Sequence, residues 1–214
     1  MKIVHIITGL NVGGAELSLY RLLKSSQIHR EKAIVVSLTN FGEVGKLLDS
    51  IGVKVYHLNI AGFFSALYAI GKLTSLLRSK QASVVQTWMY HADLIGGLAA
   101  KMAGVKKVYW GIRCTDIPIG SPGTKLIMQV CAKLSYFIPT KIVCVANSAK
   151  ESHIRNGYCA SKLVVIPNGV LVLDKAYLRG ESDDLKYNFR KNNRRIIGCV
   201  GRYNPDNGQD ILIE

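Results

Sequence analysis

Ile3-Val4-His5-Ile6-Ile7-Thr8-Gly9-Leu10-Asn11-Val12-Gly13-Gly14-Ala15-Glu16 runs from an apolar, strand-like segment through three glycines into the start of a helix. The helix continues to Lys24, with Leu19, Leu22 and Leu23 on one side. Strand, glycine loop and helix in that order form the opening half of a βαβ unit. Glycines let backbone N–H groups approach an anion closely, and a helix N-terminus adds partial positive charge. A phosphate or a cluster of sugar hydroxyls would suit such a loop. A tight turn that packs helix against strand would have the same composition. The spacing is neither GxGxxG nor the GK[ST] of a P-loop, so the dinucleotide and ATP fingerprints are both missed.

The pattern repeats along the chain. Strand-like runs occupy Ile3–Thr8, Ala33–Leu38, Val53–Leu58, Val84–Trp88, Val108–Ile112, Lys141–Val145, Leu163–Ile166 and Ile196–Val200. Several are rich in Val and Ile without strict alternation, as in strands buried on both faces. Helix-like stretches lie between them at Ala15–Lys24, Phe63–Arg78, Asp93–Met102, Thr124–Phe137 and Ala149–Asn156. The alternation predicts an α/β fold, a doubly wound parallel sheet of Rossmann-like type. Pro167-Asn168-Gly169 is a turn signal, and the stretch after it is polar with mixed charge. Residues 1–170 read as one α/β domain, 171–194 as a linker and 195–214 as the start of a second domain.

Composition narrows the functional classes. The 214 residues carry 28 Lys and Arg against 14 Asp and Glu, a net charge of +14, with 49% hydrophobic residues. That is a globular balance, not a disordered one. The five cysteines show no CxxC spacing, which leaves zinc and thioredoxin-type sites without support and suits free thiols in a reducing cytosol. The first segment contains His5 and runs into glycines instead of a small-residue cleavage site, unlike a signal peptide. No uninterrupted apolar run reaches the ~18 residues of a membrane span. The charge would attract nucleic acid, anionic lipid or diphosphate-linked substrates, or simply keep the surface soluble. Nucleic acid has only charge in its favour, because no helix-turn-helix or zinc pattern accompanies it.

Two further constellations fall where a strand ends, the place where open α/β sheets bind ligands. In Gln86-Thr87-Trp88-Met89-Tyr90-His91-Ala92-Asp93-Leu94-Ile95-Gly96-Gly97, His91 is placed to hydrogen-bond a sugar hydroxyl, and Asp93 to cap the following helix. In Trp110-Gly111-Ile112-Arg113-Cys114-Thr115-Asp116, Arg113 suits a carboxylate or phosphate, or an ion pair with Asp116 or another acid. The helix-like stretches from Phe63 to Lys80 and from Thr124 to Phe137 have apolar faces with lysines nearby. Each fits either packing on the sheet or lying in a membrane interface.

Taken in order, these pieces resemble glycosyltransferase family 4, of the GT-B fold. The resemblance rests on Gly13–Glu16 (GGAE), Trp88–Gly97, Trp110–Arg113, Asn147-Ser148-Ala149, Gly157-Tyr158, Val165–Val170 and Val200–Pro205. It implies two Rossmann-like domains facing a cleft, the first for the acceptor and the second for a nucleotide-sugar. It also implies sugar transfer with retention of configuration, without metal or other cofactor, in the synthesis of bacterial surface polysaccharide or lipopolysaccharide. By position, Gly13, Gly14 and Arg202 would meet the donor diphosphate. His91 would be the catalytic-site residue against the transferred sugar or the acceptor. Trp88, Tyr90, Arg113 and Asp116 would line the acceptor side. The expected partners are a nucleotide-sugar and a lipid-linked or glycan acceptor, with peripheral contact to an anionic membrane from the cytoplasmic side. Two features depart from the family. Asn207 stands where a lysine usually joins the arginine, and a neutral amide does not supply its charge. The acidic donor-binding motif would lie beyond Glu214. The chain is therefore expected to be the N-terminal portion of a transferase and inactive alone, with an apolar surface near Ile196–Ile213 that favours dimers.

Overall fold

The computed structural model describes residues 2–60, 62–115 and 122–169. The chain divides into two units, Met1–Gly169 and Val170–Glu214. The expected linker, the eighth strand Ile196–Val200 and the 195–214 segment with its proposed dimer surface all lie outside the described residues.

The described unit alternates strand and helix. Its strands are β1 (Lys2–Ile7), β2 (Ala33–Ser37), β3 (Lys54–His57), β4 (Ala82–Trp88), β5 (Lys107–Ile112), β6 (Lys141–Cys144) and β7 (Leu163–Val165). Its helices are α1 (Gly14–Lys24), α2 (Gln27–Lys32), α3 (Gly42–Ser50), α4 (Phe63–Ser79), α5 (Tyr90–Met102), α6 (Pro122–Leu134) and α7 (Asn147–Arg155). The strands form one sheet in the order β3-β2-β1-β4-β5-β6-β7, and every pairing is parallel. This is the doubly wound α/β sheet that the alternation predicts.

Two helices escape the sequence pattern. α2 buries no residue, so it has no apolar stripe to read. α3 has only nine residues and buries Val44, Gly45 and Leu48. α5 also begins three residues earlier than its periodicity suggests, at Tyr90 instead of Asp93.

One face of the sheet packs under α4, α5 and α6, around Val4, Ile6, Val85, Val108 and Trp110. α5 lies very close to the strands because it carries two glycines. A Cβ on Gly96 would sit 2.9 Å from Thr87 Cγ2, and one on Gly97 would sit 2.8 Å from Trp110 Nε1. The other face packs under α1 and α3, around Ile7, Leu19, Val35 and Leu48. The expectation of strands buried on both faces holds for β2, whose five residues are all buried. It fails on the second face of β4 to β7, where Gln86, Tyr109, Val143 and Val164 are only half-buried. A cavity of about 530 Å³ occupies that half-face.

Candidate active site

The strand order reverses between β1 and β4, which makes their carboxyl ends the switch point of the sheet. The register pairs Ile7 with Trp88, so the loops leaving the two strands lie side by side.

From β1 the chain enters the glycine loop. The loop is held from the side by the β2–α3 connection. Thr39 Oγ1 donates to the Thr8 carbonyl at 2.8 Å, Asn40 Nδ2 to Asn11 Oδ1 at 2.9 Å, and the Val44 amide to the Leu10 carbonyl at 2.9 Å. Gly42 makes the last contact possible. Its φ is +58°, and a Cβ there would lie 2.2 Å from the Leu10 oxygen. Gly13 caps α1 in an extended conformation and Gly14 is the first helical residue, with no cap hydrogen bond from the Gly13 position. A Cβ on Gly14 would meet nothing within 4 Å, and one on Gly13 would meet only the carboxylate end of Glu16. Neither glycine is needed for packing. Gly14 leaves its side of the helix N-terminus open, while the Glu16 carboxylate lies beside Gly13; amides and dipole there favour an anion.

From β4 the chain turns at Met89, which has φ 72° and ψ 159°. That region is nearly closed to residues with a side chain and stores roughly 1–3 kcal/mol. The conformation is clamped on both sides. The Met89 amide donates to the Gly111 carbonyl at 2.9 Å, and its own carbonyl accepts from the Asp93 amide at 2.9 Å. The turn puts His91 in the first turn of α5, half-buried at the switch point. Burial lowers the His91 pKa, so the ring is neutral near pH 7 and able both to donate and to accept.

Arg113 follows β5 on the same edge. Its guanidinium lies 4.0 Å above the Trp88 ring, and Nη1 donates to Asn168 Oδ1 at 2.6 Å. Burial lowers its pKa to about 10, with the nearby Asp93 charge acting against that shift, so it stays cationic at neutral pH. Among the described residues its partners are an amide and an aromatic face, and Asp116, the acid named for an ion pair, lies outside them. A cation held in this way suits an anionic group. Asp116 and Arg202 lie outside the described residues.

Trp88 and Tyr90 are corrected by the structure. Trp88 is 1% exposed, and its indole donates to His5 Nδ1 at 3.3 Å. Its ring is a platform for Arg113, and both border the cavity on the half-covered face of the sheet. Tyr90 is buried, with its hydroxyl 2.7 Å from His153 Nε2 and accepting from Cys114 Sγ at 3.3 Å. His153 Nδ1 sits 2.7 Å from the Ala149 carbonyl and donates to it, while Nε2 meets the Tyr90 hydroxyl. Tyr90 therefore ties α5 to α7 inside the core. Asp93 is corrected as well. It does not cap α5 but lies fully buried within it, accepting from Thr87 Oγ1 at 2.5 Å. Burial raises its pKa to about 8.

Three participants carry no sequence signal of their own. Asn168 reads as part of a turn, His5 as a strand residue, and Met89 as an ordinary apolar position. Among the described residues, no group of three His, Cys, Asp or Glu side chains could hold a metal ion.

The described unit is thus a Rossmann-like parallel sheet with a glycine loop, a histidine and an arginine following the strand ends at its switch point. The comparisons agree with that class. The family model for glycosyltransferase family 4 matches residues 12–171, and the chain belongs to that family. It is 24% identical over 216 residues to the Staphylococcus aureus capsular polysaccharide biosynthesis glycosyltransferase CapH, covering all of this chain and 57% of the relative. It is similar to Anabaena HepE in complex with UDP, with a TM-score of 0.77 and 22% identity, over all of this chain and 56% of that one. The apo lipopolysaccharide outer core galactosyltransferase WaaB gives a TM-score of 0.63 at 15% identity, over 81% of this chain and 47% of that one. At such identities the solved structures establish the fold alone, which is GT-B. The chain spans about half the length of these relatives.

Proposed function

We propose that the chain is the acceptor-side part of a transferase that moves a hexose from a nucleotide-sugar to a lipid-linked or polysaccharide acceptor in cell-surface glycan synthesis. The observation that carries the reading is the start of α1, where a Cβ on Gly14 would meet nothing within 4 Å and the glycine loop leaves β1 beside the end of β4 that leads to His91. The Anabaena relative is described with UDP and with UDP-glucose, which supports a uridine nucleotide-sugar as the donor.

In this reading the leading amides of α1 hold the donor diphosphate and spread its charge as the sugar leaves. Neutral His91 takes a hydrogen bond from a hydroxyl of the transferred sugar and orients it. Arg113, held flat on Trp88, draws an anionic acceptor group toward the same edge. The configuration is retained and no metal takes part. The chain by itself does not support turnover.

The test is transfer of labelled sugar from UDP-glucose, UDP-galactose or UDP-N-acetylglucosamine to a membrane lipid extract. It compares the 214-residue chain with a protein of the relatives' length that carries it. Transfer is expected only from the longer protein, falling about 100-fold or more in His91→Ala. Full activity in that variant, or robust transfer by the 214-residue chain, would refute the assignment.

A further inference from the structure

The amino edge of the sheet, opposite the switch point, gathers charge that the site does not use. In the spatial order β3-β2-β1-β4, each strand is entered through a lysine. Lys54 and Lys2 are the first residues of β3 and β1, Lys32 immediately precedes β2, and Lys80 stands two residues before β4. The register sets these entries side by side, with Ile34 opposite Lys54, Ile3 opposite Ala33 and Lys2 opposite Ala82. Neighbouring strands lie roughly 4.8 Å apart, so the four lysines enter the sheet within about 15 Å of edge. Together with Arg30 they line a pocket of about 200 Å³ that Tyr56 also borders.

Lysines at such an edge have an ordinary task. The helices of an α/β layer end there, and their last carbonyls attract cations. The far end of the same edge shows it. Lys162 Nζ donates to the Ser135 and Tyr136 carbonyls just past α6, at 3.1 and 2.6 Å, and Lys141 Nζ donates to the Ser161 carbonyl at 3.1 Å. The pocket differs. Among the described residues, none of its five cations donates a side-chain hydrogen bond or makes an ion pair. Glu31, which also lines it, accepts from Gln27 Nε2 at 2.9 Å instead. Lys80 lies over the Tyr56 ring, 5.4 Å from its centre. Like charges crowded into a small concave space repel each other and focus the field on an incoming anion.

We infer that this pocket binds a compact group of linked phosphates, a diphosphate or a triphosphate. Phosphate follows from the cations, because lysine serves phosphate oxygens as a point charge. Compactness follows from the volume, which falls below the roughly 300–1,000 Å³ of pockets that enclose larger organic ligands. Linked phosphates suit it better than a single one, because the five cations are spread over four strand entries. Tyr56 packs against the core and beneath Lys80, which leaves little ring for a nucleobase to stack on. β1 and β4 run from this edge to the switch point, so the pocket and the candidate active site lie at opposite ends of the same strands, roughly 20 Å apart. The inference does not rest on the proposed function.

The test is calorimetric titration of the chain with inorganic tripolyphosphate, pyrophosphate and orthophosphate at equal ionic strength, with no sugar donor present. Tripolyphosphate should bind about tenfold or more tightly than orthophosphate, with pyrophosphate between them. ATP, which carries the same linked phosphates on a nucleoside, should bind more weakly than tripolyphosphate. Lys2→Gln with Lys54→Gln should weaken tripolyphosphate binding about tenfold or more. Lys101→Gln with Lys125→Gln, on α5 and α6, makes the same charge change elsewhere and should alter it less than about twofold. Both pairs leave the glycine loop intact, so binding lost with Lys2 and Lys54 is separate from the donor site. Without ligand, the Lys2→Gln, Lys54→Gln chain should melt no lower than the parent, because crowded cations have been removed. Equal losses from both lysine pairs would overturn the inference by reducing it to net charge. Equal affinity for orthophosphate and tripolyphosphate, tighter binding of ATP, or no binding at millimolar tripolyphosphate would overturn it too. A lower melting temperature with unchanged binding would return these lysines to balancing helix ends.

Discussion

Gly13-Gly14 and Gly96-Gly97 are the same dipeptide in the same fold, and the structure uses them in opposite ways. In the first pair, at the start of α1, an added methyl on Gly14 meets nothing and one on Gly13 meets only the end of the Glu16 side chain. The second pair is pressed between α5 and the strands, where an added methyl would overlap Thr87 or Trp110. One pair leaves room for something outside the chain, and the other removes room inside it. Glycine composition alone does not distinguish a ligand loop from a packing contact. The surroundings of the missing Cβ do.

The contrast can be broken most forcefully at the packed pair. Gly97→Val should cost about 3 kcal/mol or more, because a branched side chain has to displace Trp110 and Ile138. Urea unfolding measures it, and a loss below about 1 kcal/mol would mean that α5 can move away from the sheet.

The buried end of α5 sets a pH dependence. Asp93 has its pKa raised from 3.8 to about 8 by burial, so the folded state holds a proton that the unfolded state releases. Its contribution is complete below pH 3.8 and disappears as the pH rises through 8. His5 has its pKa lowered from 6.5 to about 4 by burial, so its contribution is lost on acidification from 6.5 toward 4. The two slopes oppose each other below pH 6.5, and Asp93 acts alone above it. Stability should therefore fall between pH 6.5 and 8, by at most one proton's worth or about 1.4 kcal/mol per pH unit. Asp93→Asn should flatten that limb and uncover the acid-side loss from His5. Unfolding curves across the range would show it, and an unchanged alkaline limb in the variant would contradict the assignment.

A smaller effect sharpens the turn between β4 and α5. Met89→Gly and Met89→Ala remove the same side-chain contacts, but only glycine accepts φ 72° and ψ 159° without strain. The glycine variant should be the more stable by about 1 kcal/mol, which reverses the usual order of the two residues. At the open pair the expected change is smallest. Gly14→Ala should alter stability by less than about 1 kcal/mol, and in the stabilising direction. A loss comparable to that of Gly97→Val would erase the distinction between the pairs.

The sequence exposes the repeating architecture well, and physics explains why. Runs of Val and Ile separated by amphipathic helices leave little alternative to a parallel sheet, and strand-end loops in such a sheet meet at one edge. What it hides is the direction of individual side chains. Tyr90 and His91 are neighbours, yet the helical turn sends Tyr90 inward to His153 and leaves His91 half-buried at the crevice. Arg113 is legible as an anion binder, but its true neighbours are 25 residues back at Trp88 and 55 residues on at Asn168. Asn168 is legible only as a turn residue, because nothing local marks a hydrogen bond of that span. α2, which buries nothing, leaves no pattern to find.

The central claim is that the switch point between β1 and β4 receives the donor diphosphate at the open glycine pair. Amide NMR of the chain during titration with millimolar UDP-glucose tests it most directly. The account predicts shifts at Gly13, Gly14 and His91 and none at Gly96 and Gly97. Shifts confined to residues away from the carboxyl edge, or none at the open pair, would contradict it.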